Sequence, residues 1–371
     1  MLHGQRGRCR PAGVGPLRTA SSGVDIRPWQ AGDEAQWDAF VDQHGAATPY
    51  HASAWLKSVE HAYRHPNQSL LAFQRDSVVG VAPACQFNRP LGKPTLCCQP
   101  FCDTGHILSA DQKIHDALKN ALADQARTIG ATQLTYRASD TDPTDQPPAP
   151  GAKVQMRLAL PDDPATLLAS FKSKLRSQIR KAEKNGLTVS TATDDAHLDA
   201  FYRIMAVNMR KLGSPVHSRQ WFASVRNHYC QRCAITIVWH GTVPIGAGLV
   251  LRSRSLISIP WASTLASHNP LAPNMLLYWT ILAQACQEEA GSFDFGRSTV
   301  DEGTYKFKQQ WGAKPVNLYC YHGHPDAFAP VLWQQEEAIT SVRAWVIDAW
   351  SKLPLPLTNW AGPRIRKYIS L

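Results

Sequence analysis

No long hydrophobic run occurs in the 371 residues: nowhere do roughly 18 apolar residues follow one another, as a membrane-spanning helix requires. The first 23 residues carry Arg6, Arg8, Arg10 and Arg18 among glycines and prolines but no apolar segment. That speaks against a secretory signal and predicts a disordered basic arm over residues 1–23 of a cytoplasmic protein. Acidic residues are few, 29 against 39 lysines and arginines, a formal charge of +10. Such a balance favours partners rich in phosphate or carboxylate, such as RNA, nucleotide-linked sugars or an anionic membrane surface. The nine cysteines lack the spacing of a disulfide framework, and Cys230-x-x-Cys233 has no matching second pair, so reduced, mostly buried thiols and no metal are expected. Also missing are the G-x-x-x-x-G-K-[ST] phosphate loop, H-E-x-x-H and G-x-S-x-G, which removes the common nucleotide hydrolases, zinc proteases and serine hydrolases from consideration.

What is present is first of all a repeat. Thr48–Val59 (TPYHASAWLKSV) matches Ser214–Val225 (SPVHSRQWFASV) at an offset of 166 residues, in unbroken register as far as Gly80 and Gly246. Seven of those 33 pairs are identical: Pro49/Pro215, His51/His217, Trp55/Trp221, Ser58/Ser224, Val59/Val225, Tyr63/Tyr229 and Gly80/Gly246. Ordinary residue usage would supply about two, so a duplicated domain is expected, with His51 and His217 as structural residues at equivalent helix starts.

Periodicity then orders each half. The first reads as a strand at Val24–Trp29, helices at Asp33–Gln43 and Ala52–Tyr63, and strands at Leu70–Gln74, Ser77–Phe87 and Pro94–Phe101. A helix at Asp111–Ile129, a strand at Gln133–Tyr136 and a Pro-rich linker at Asp140–Pro150 follow. The second half repeats the order from Leu187 to Tyr321. This is the element order of the acetyltransferase-like (GNAT) fold. The expected architecture is therefore α+β: two tandem GNAT-like (acyl-CoA N-acyltransferase-like) domains over 24–160 and 187–324, with mixed, largely antiparallel sheets flanked by helices.

Two segments lie outside the repeat. Over 161–186 an apolar stripe, Leu168, Phe171, Leu175, Ile179 and Ala182, runs beside Lys172, Arg176, Arg180 and Lys184, each four apart, with Glu183 the one acid within Leu167–Lys184. The spacing predicts one helix over Leu167–Lys184 with a cationic row for a polyanion. The tail over 325–371 carries Trp333, Trp345, Trp350 and Trp360 with Arg364, Arg366 and Lys367. Trp with basic residues suits a membrane interface, while packing against the second domain is favoured by Glu336, Glu337 and Asp348, which would oppose an anionic surface.

The chemistry gathers at Phe293–Gly312, FDFGRSTVDEGTYKFKQQWG. A strand breaks at Gly296 and a helix resumes with Tyr305 and Lys308; with Arg297, two cations and a tyrosine there suit an anionic or polar acyl substrate. Trp261 and Asn274 are further candidate substrate contacts. Neither Leu265–Asn274 nor Cys102–Ala110 holds the [QR]-x-x-G-x-[GA] turn with which such folds usually grip coenzyme A.

The basic segment Phe171–Leu187, the duplicated halves and the D-F-G…Y-x-F-K-x-x-[WF]-G pattern together resemble the Fem family, and more closely the FemAB-like branch associated with PEP-CTERM/exosortase and extracellular polysaccharide systems. The resemblance spans about Val24 to Leu371. It implies an acyltransferase that moves an aminoacyl group from aminoacyl-tRNA to a cell-envelope or exopolysaccharide precursor, with tRNA on the basic segment, no tightly bound cofactor and a nucleotide- or lipid-linked sugar as acceptor. It also implies Lys308 as the group that steadies an oxyanion or a substrate phosphate, and Asp103 as a substrate-facing acid. Where the family reads D-F-G-G this chain has Arg297, placing extra charge beside the acceptor. Acyl-CoA as donor to an amino sugar, and a non-catalytic adaptor of polysaccharide or exosortase assembly with peripheral inner-membrane contact, are the alternatives.

Overall fold

The seven repeat identities include the residues with which the two halves hold each other. In the computed structural model, which describes residues 23–88, 92–143, 148–334 and 341–371, helices Ser53–Tyr63 and Arg219–Tyr229 occupy equivalent places and pack together. Pro49 opens the turn before the first, and the Ser218 side chain caps the second at the Trp221 N–H, 3.0 Å away. The rings of Trp55 and Trp221 meet edge to face at 5.3 Å. The Tyr63 hydroxyl lies 2.8 Å from Nδ1 of His217, and Tyr229 donates to the Pro49 carbonyl at 2.7 Å. The rings of Trp55, Trp221, Tyr63 and Tyr229 are buried in one core shared by both halves, where a ring's hydroxyl needs a partner as much as its face needs packing. The basic arm expected over residues 1–23 falls, except for Gly23, outside the described residues, as do Glu336 and Glu337.

Each half contains a parallel strand pair joined by a helix. Thr95–Cys97 pairs with Gln133–Ser139 across helix Gln112–Thr128, and Leu256–Thr264 pairs with Ser292–Thr299 across helix Pro273–Gln287. The next strand then leaves its own half. Lys153–Ala159 lies antiparallel on Ser292–Thr299 of the second half, and Lys314–Gly323 lies antiparallel on Gln133–Ser139 of the first. The two exchanged strands also pair with each other, so one mixed sheet of 11 strands runs from Cys85–Phe87 at one edge to Leu187–Ala192 at the other. A separate four-stranded sheet joins Asp25–Pro28, Leu70–Gln74, Ser77–Ala82 and Leu108–Ser109. The mixed, largely antiparallel α+β architecture flanked by helices is as expected.

Two local expectations are corrected and one strand is added. Ser77–Phe87 is not one strand: it divides into Ser77–Ala82 and Cys85–Phe87 in different sheets, at Pro83, which has no N–H for a ladder. Lys153–Ala159, for which no element was expected, is a strand, with Val154, Met156 and Leu158 alternating inward. The basic segment is two helices, Pro164–Ser170 and Ser173–Lys184, because Phe171 turns extended to bury its ring against Trp279 and Trp311 at 6.2 and 5.4 Å. Leu175, Ile179 and Ala182 are buried as the stripe requires, with Leu167 rather than Leu168 beside them.

The C-terminal segment forms helices Ser341–Lys352 and Leu355–Arg366, both on helix Asp195–Lys211. Its last residues cross to the first half, where the Ser370 carbonyl accepts the Phe101 N–H at 2.6 Å and the Ser370 hydroxyl accepts from Arg137 at 3.0 Å. No helix among the described residues is long and apolar enough to cross a membrane.

Candidate active site

Strands Leu256–Thr264 and Ser292–Thr299 stay paired only from Leu256/Ser292 to Ser258/Asp294 and then part. The second strand is diverted there by a bulge against Lys153–Ala159 between Asp294 and Arg297, with Gly296 at φ +76°. Only glycine takes that conformation without strain.

Asp294 fixes the break. Its buried carboxylate accepts the Gly296 N–H at 2.7 Å, the Gln155 amide at 2.5 Å and the Ser258 hydroxyl at 3.2 Å. Burial pushes its pKa up, against the pull of the Arg157 guanidinium and the Gly296 N–H. Gln155 arrives on the strand exchanged from the first half.

The turn leaves the carbonyls of Gly296 and Arg297 facing Lys308, whose Nζ donates to both at 2.9 and 2.8 Å. Lys308 is 8% exposed, and burial lowers its pKa to about 8, opposed by the charges of Asp294 and Asp103. It remains an ammonium at neutral pH, with a third N–H for another oxygen. Arg297 is held from two sides. Its backbone N–H donates to Asp103 at 3.1 Å and its Nε sits 3.6 Å from the same carboxylate, while the guanidinium lies 4.6 Å over the Trp333 ring.

Beside Lys308 a cavity of about 430 Å³ opens between the parted strand end, the start of helix Pro273–Gln287 and helix Gly303–Gln309. Ser263, Asn274, Tyr278, Phe307 and Lys308 line it, and Asn208 and Lys211 reach it from helix Asp195–Lys211. The Ser263 hydroxyl is buried with no hydrogen-bond partner among the described residues. Helix Pro273–Gln287 starts on the cavity at Ala272 without a side-chain cap, so its first N–H groups present positive potential there.

The structure thus brings Lys308, Arg297 and Asp103 together and sets Asn274 on the same cavity as Lys308. The Tyr305 ring is buried in the second-half core. Trp261 stacks on Trp55 at 6.0 Å, in the aromatic cluster between the halves. On the basic helix Lys172, Lys174, Arg180, Lys181 and Lys184 are exposed, and none pairs with a carboxylate among the described residues. Arg176 instead binds the carbonyls of Ala169 and Phe171 at 3.0 and 2.8 Å, holding the break between the two helices. Gln155, Ser258 and Ser263 were not anticipated; the first two reach the Asp294 carboxylate because the sheet pairing sets their strands beside it. The His/Cys/Asp/Glu side chains of the described residues form no metal-binding group of three, and Cys230 is exposed while Cys233 is buried.

Comparison with known proteins bears on the fold. Residues 169–309 match the family model described as an acetyltransferase (GNAT) domain. The crystal structure of FemX superposes with a TM-score of 0.60 at 14% identity, covering 80% of this chain and 95% of that one. A tandem GNAT protein from the clavulanic acid biosynthesis pathway superposes with a TM-score of 0.51 at 15% identity, over 81% of this chain and 98% of the other. No curated protein sequence matches the chain. The fold is a tandem GNAT fold, with the acetyltransferase-type match covering most of the basic segment and most of the second half.

Proposed function

We propose that the chain is a Fem-like acyltransferase that forms an amide or ester on a cell-envelope or exopolysaccharide precursor, in the setting of an exosortase-linked system. The observation that carries this reading is the buried Lys308 ammonium, aimed by two carbonyls and exposed on one side to a cavity at a parted parallel strand pair. A donor ester is already activated, so the protein needs to orient it and to stabilise the oxyanion of its tetrahedral intermediate. The acceptor nitrogen or oxygen bonds to the acyl carbon, the bond to the ribose oxygen breaks, and the proton lost by the acceptor passes to that leaving oxygen. Lys308 serves the oxyanion, Arg297 an anionic part of the acceptor, and Asp103 receives the proton or anchors the acceptor amine. The exposed lysines of Ser173–Lys184 and the Lys172 beside them suit a tRNA donor.

Acyl-CoA is the second donor to consider. The uncapped start of helix Pro273–Gln287 on the cavity favours it, since helix N-termini attract phosphate. Both donors are tested on the purified protein with labelled charged tRNA, labelled acyl-CoA and a nucleotide-linked amino sugar. Transfer of label from tRNA supports the first reading; transfer from acyl-CoA alone replaces its donor. A chain whose Lys308→Ala and Arg297→Ala forms keep the cellular phenotype is an adaptor and not an enzyme.

A further inference from the structure

The two C-terminal helices are turned the wrong way round for a surface that faces only water. Toward the body they present small or partly covered groups: Thr358 and Gly362 are buried, and Gly362 lies 3.2 Å from the Val216 backbone by the place a Cβ would take. Outward they present large apolar side chains. Trp345 is 70% exposed and Trp360 60%, with Val346, Leu357 and Ile365 all above 40%, whereas Trp37, Trp55, Trp221 and Trp311 are fully buried. Scattered apolar exposure is ordinary; a run of it along two consecutive helices marks a contact surface.

The charges accompanying that face distinguish its partner. Residues 341–371 carry five lysines and arginines and a single acid, Asp348; of the five, Arg366 turns inward over the Phe101 ring at 5.6 Å and does not serve this face. That acid is paired to Lys352 at 2.6 Å, so it offers little opposition to an anionic surface. Two of the cations sit over aromatic rings, Arg364 over Trp360 at 4.5 Å and Lys367 over Tyr368 at 4.7 Å. Tryptophan and tyrosine with cations alongside match the boundary between acyl chains and anionic headgroups. Protein interfaces share the tryptophan and arginine of this face but are poor in lysine at their centres.

We propose that the outward side of Ser341–Lys352 and Leu355–Arg366 docks on an anionic lipid surface, seating Trp345 and Trp360 at headgroup depth. This docking does not depend on which reaction the cavity performs. The full chain is tested by co-sedimentation with vesicles of phosphatidylcholine alone and of phosphatidylcholine mixed with phosphatidylglycerol. Binding is expected on the mixed vesicles, to weaken with salt, and to fall at least about tenfold in Trp345→Ser/Trp360→Ser, whose removed apolar area supplies the insertion. Arg364→Glu, a single exposed change, should weaken binding without altering the melting temperature, and it keeps the test open should the double variant fold poorly. Absence of binding, or equal binding by the parent and Arg364→Glu proteins, overturns the proposal. So does a dimer that the parent forms in solution and the double variant loses, with no vesicle binding by either.

Discussion

Lys308 shows how a single residue is made reactive by its surroundings. Two carbonyls occupy two of its protons, burial lowers its pKa to about 8, and nearby carboxylates keep it from falling further. In the oxyanion role proposed for it, it must be protonated, and it is so below about pH 8. Turnover should therefore hold steady near neutrality and decline as pH rises through that value. Lys308→Met should lower kcat by about 10²–10³-fold, the usual loss for one oxyanion donor, and should also abolish the alkaline decline. Steady-state kinetics across pH check both, and a variant that loses activity but keeps the same pH profile would assign the titration to another group. Arg297 and Lys308 were legible in sequence because strand, glycine turn and helix follow one another within one stretch. Asp103 came only from resemblance, and Gln155 from neither, since it meets Asp294 across 139 residues through a strand whose pairing no local pattern announces.

At the scale of elements, the paired helices Ser53–Tyr63 and Arg219–Tyr229 were the most readable part of the chain, the first expected over Ala52–Tyr63 and found one residue shorter. Their repeat identities are the side chains that close the junction between the halves, which is why the match stays in register there. Strand Lys153–Ala159 was not anticipated although Val154, Met156 and Leu158 alternate as a half-buried strand should, because it follows the Pro-rich linker and has no counterpart in the repeat's element order. The junction also carries a titratable load. His51 is buried without charge and its pKa is lowered to about 4, chiefly by burial, and burial lowers His217 and His106 in the same direction. The unfolded chain takes up these protons below about pH 6.5, whereas the folded His51 resists until about 4, so stability is full above the first value and falls as pH drops between the two. His51 alone accounts for about 3 kcal/mol over that window. Urea denaturation at a series of pH values should show this slope, and His51→Gln should reduce it; an unchanged slope would place the acid sensitivity elsewhere.

For the whole molecule, the exchanged strands decide how the halves can come apart. Neither Gln133–Ser139 nor Ser292–Thr299 has its antiparallel neighbour within its own half, and the largest core cluster draws on both. Unfolding by heat or urea should accordingly be one transition, coincident by tryptophan fluorescence and far-UV circular dichroism. Two separated transitions would mean that the halves are independent. The GNAT-like architecture was legible from element order, but the exchange was not, because each half considered alone could have completed its own sheet.

The exchange also bears on how the chain is made. The partner of Gln133–Ser139 begins at Lys314, so the first half emerges from the ribosome with a strand edge it cannot yet cover. Synthesis at about 5–20 residues per second leaves that edge open for roughly 10–35 seconds, long enough for a neighbouring nascent chain to pair with it instead. Slower translation beyond residue 160 should raise aggregation, and a chaperone that shields strand edges should matter most during that interval.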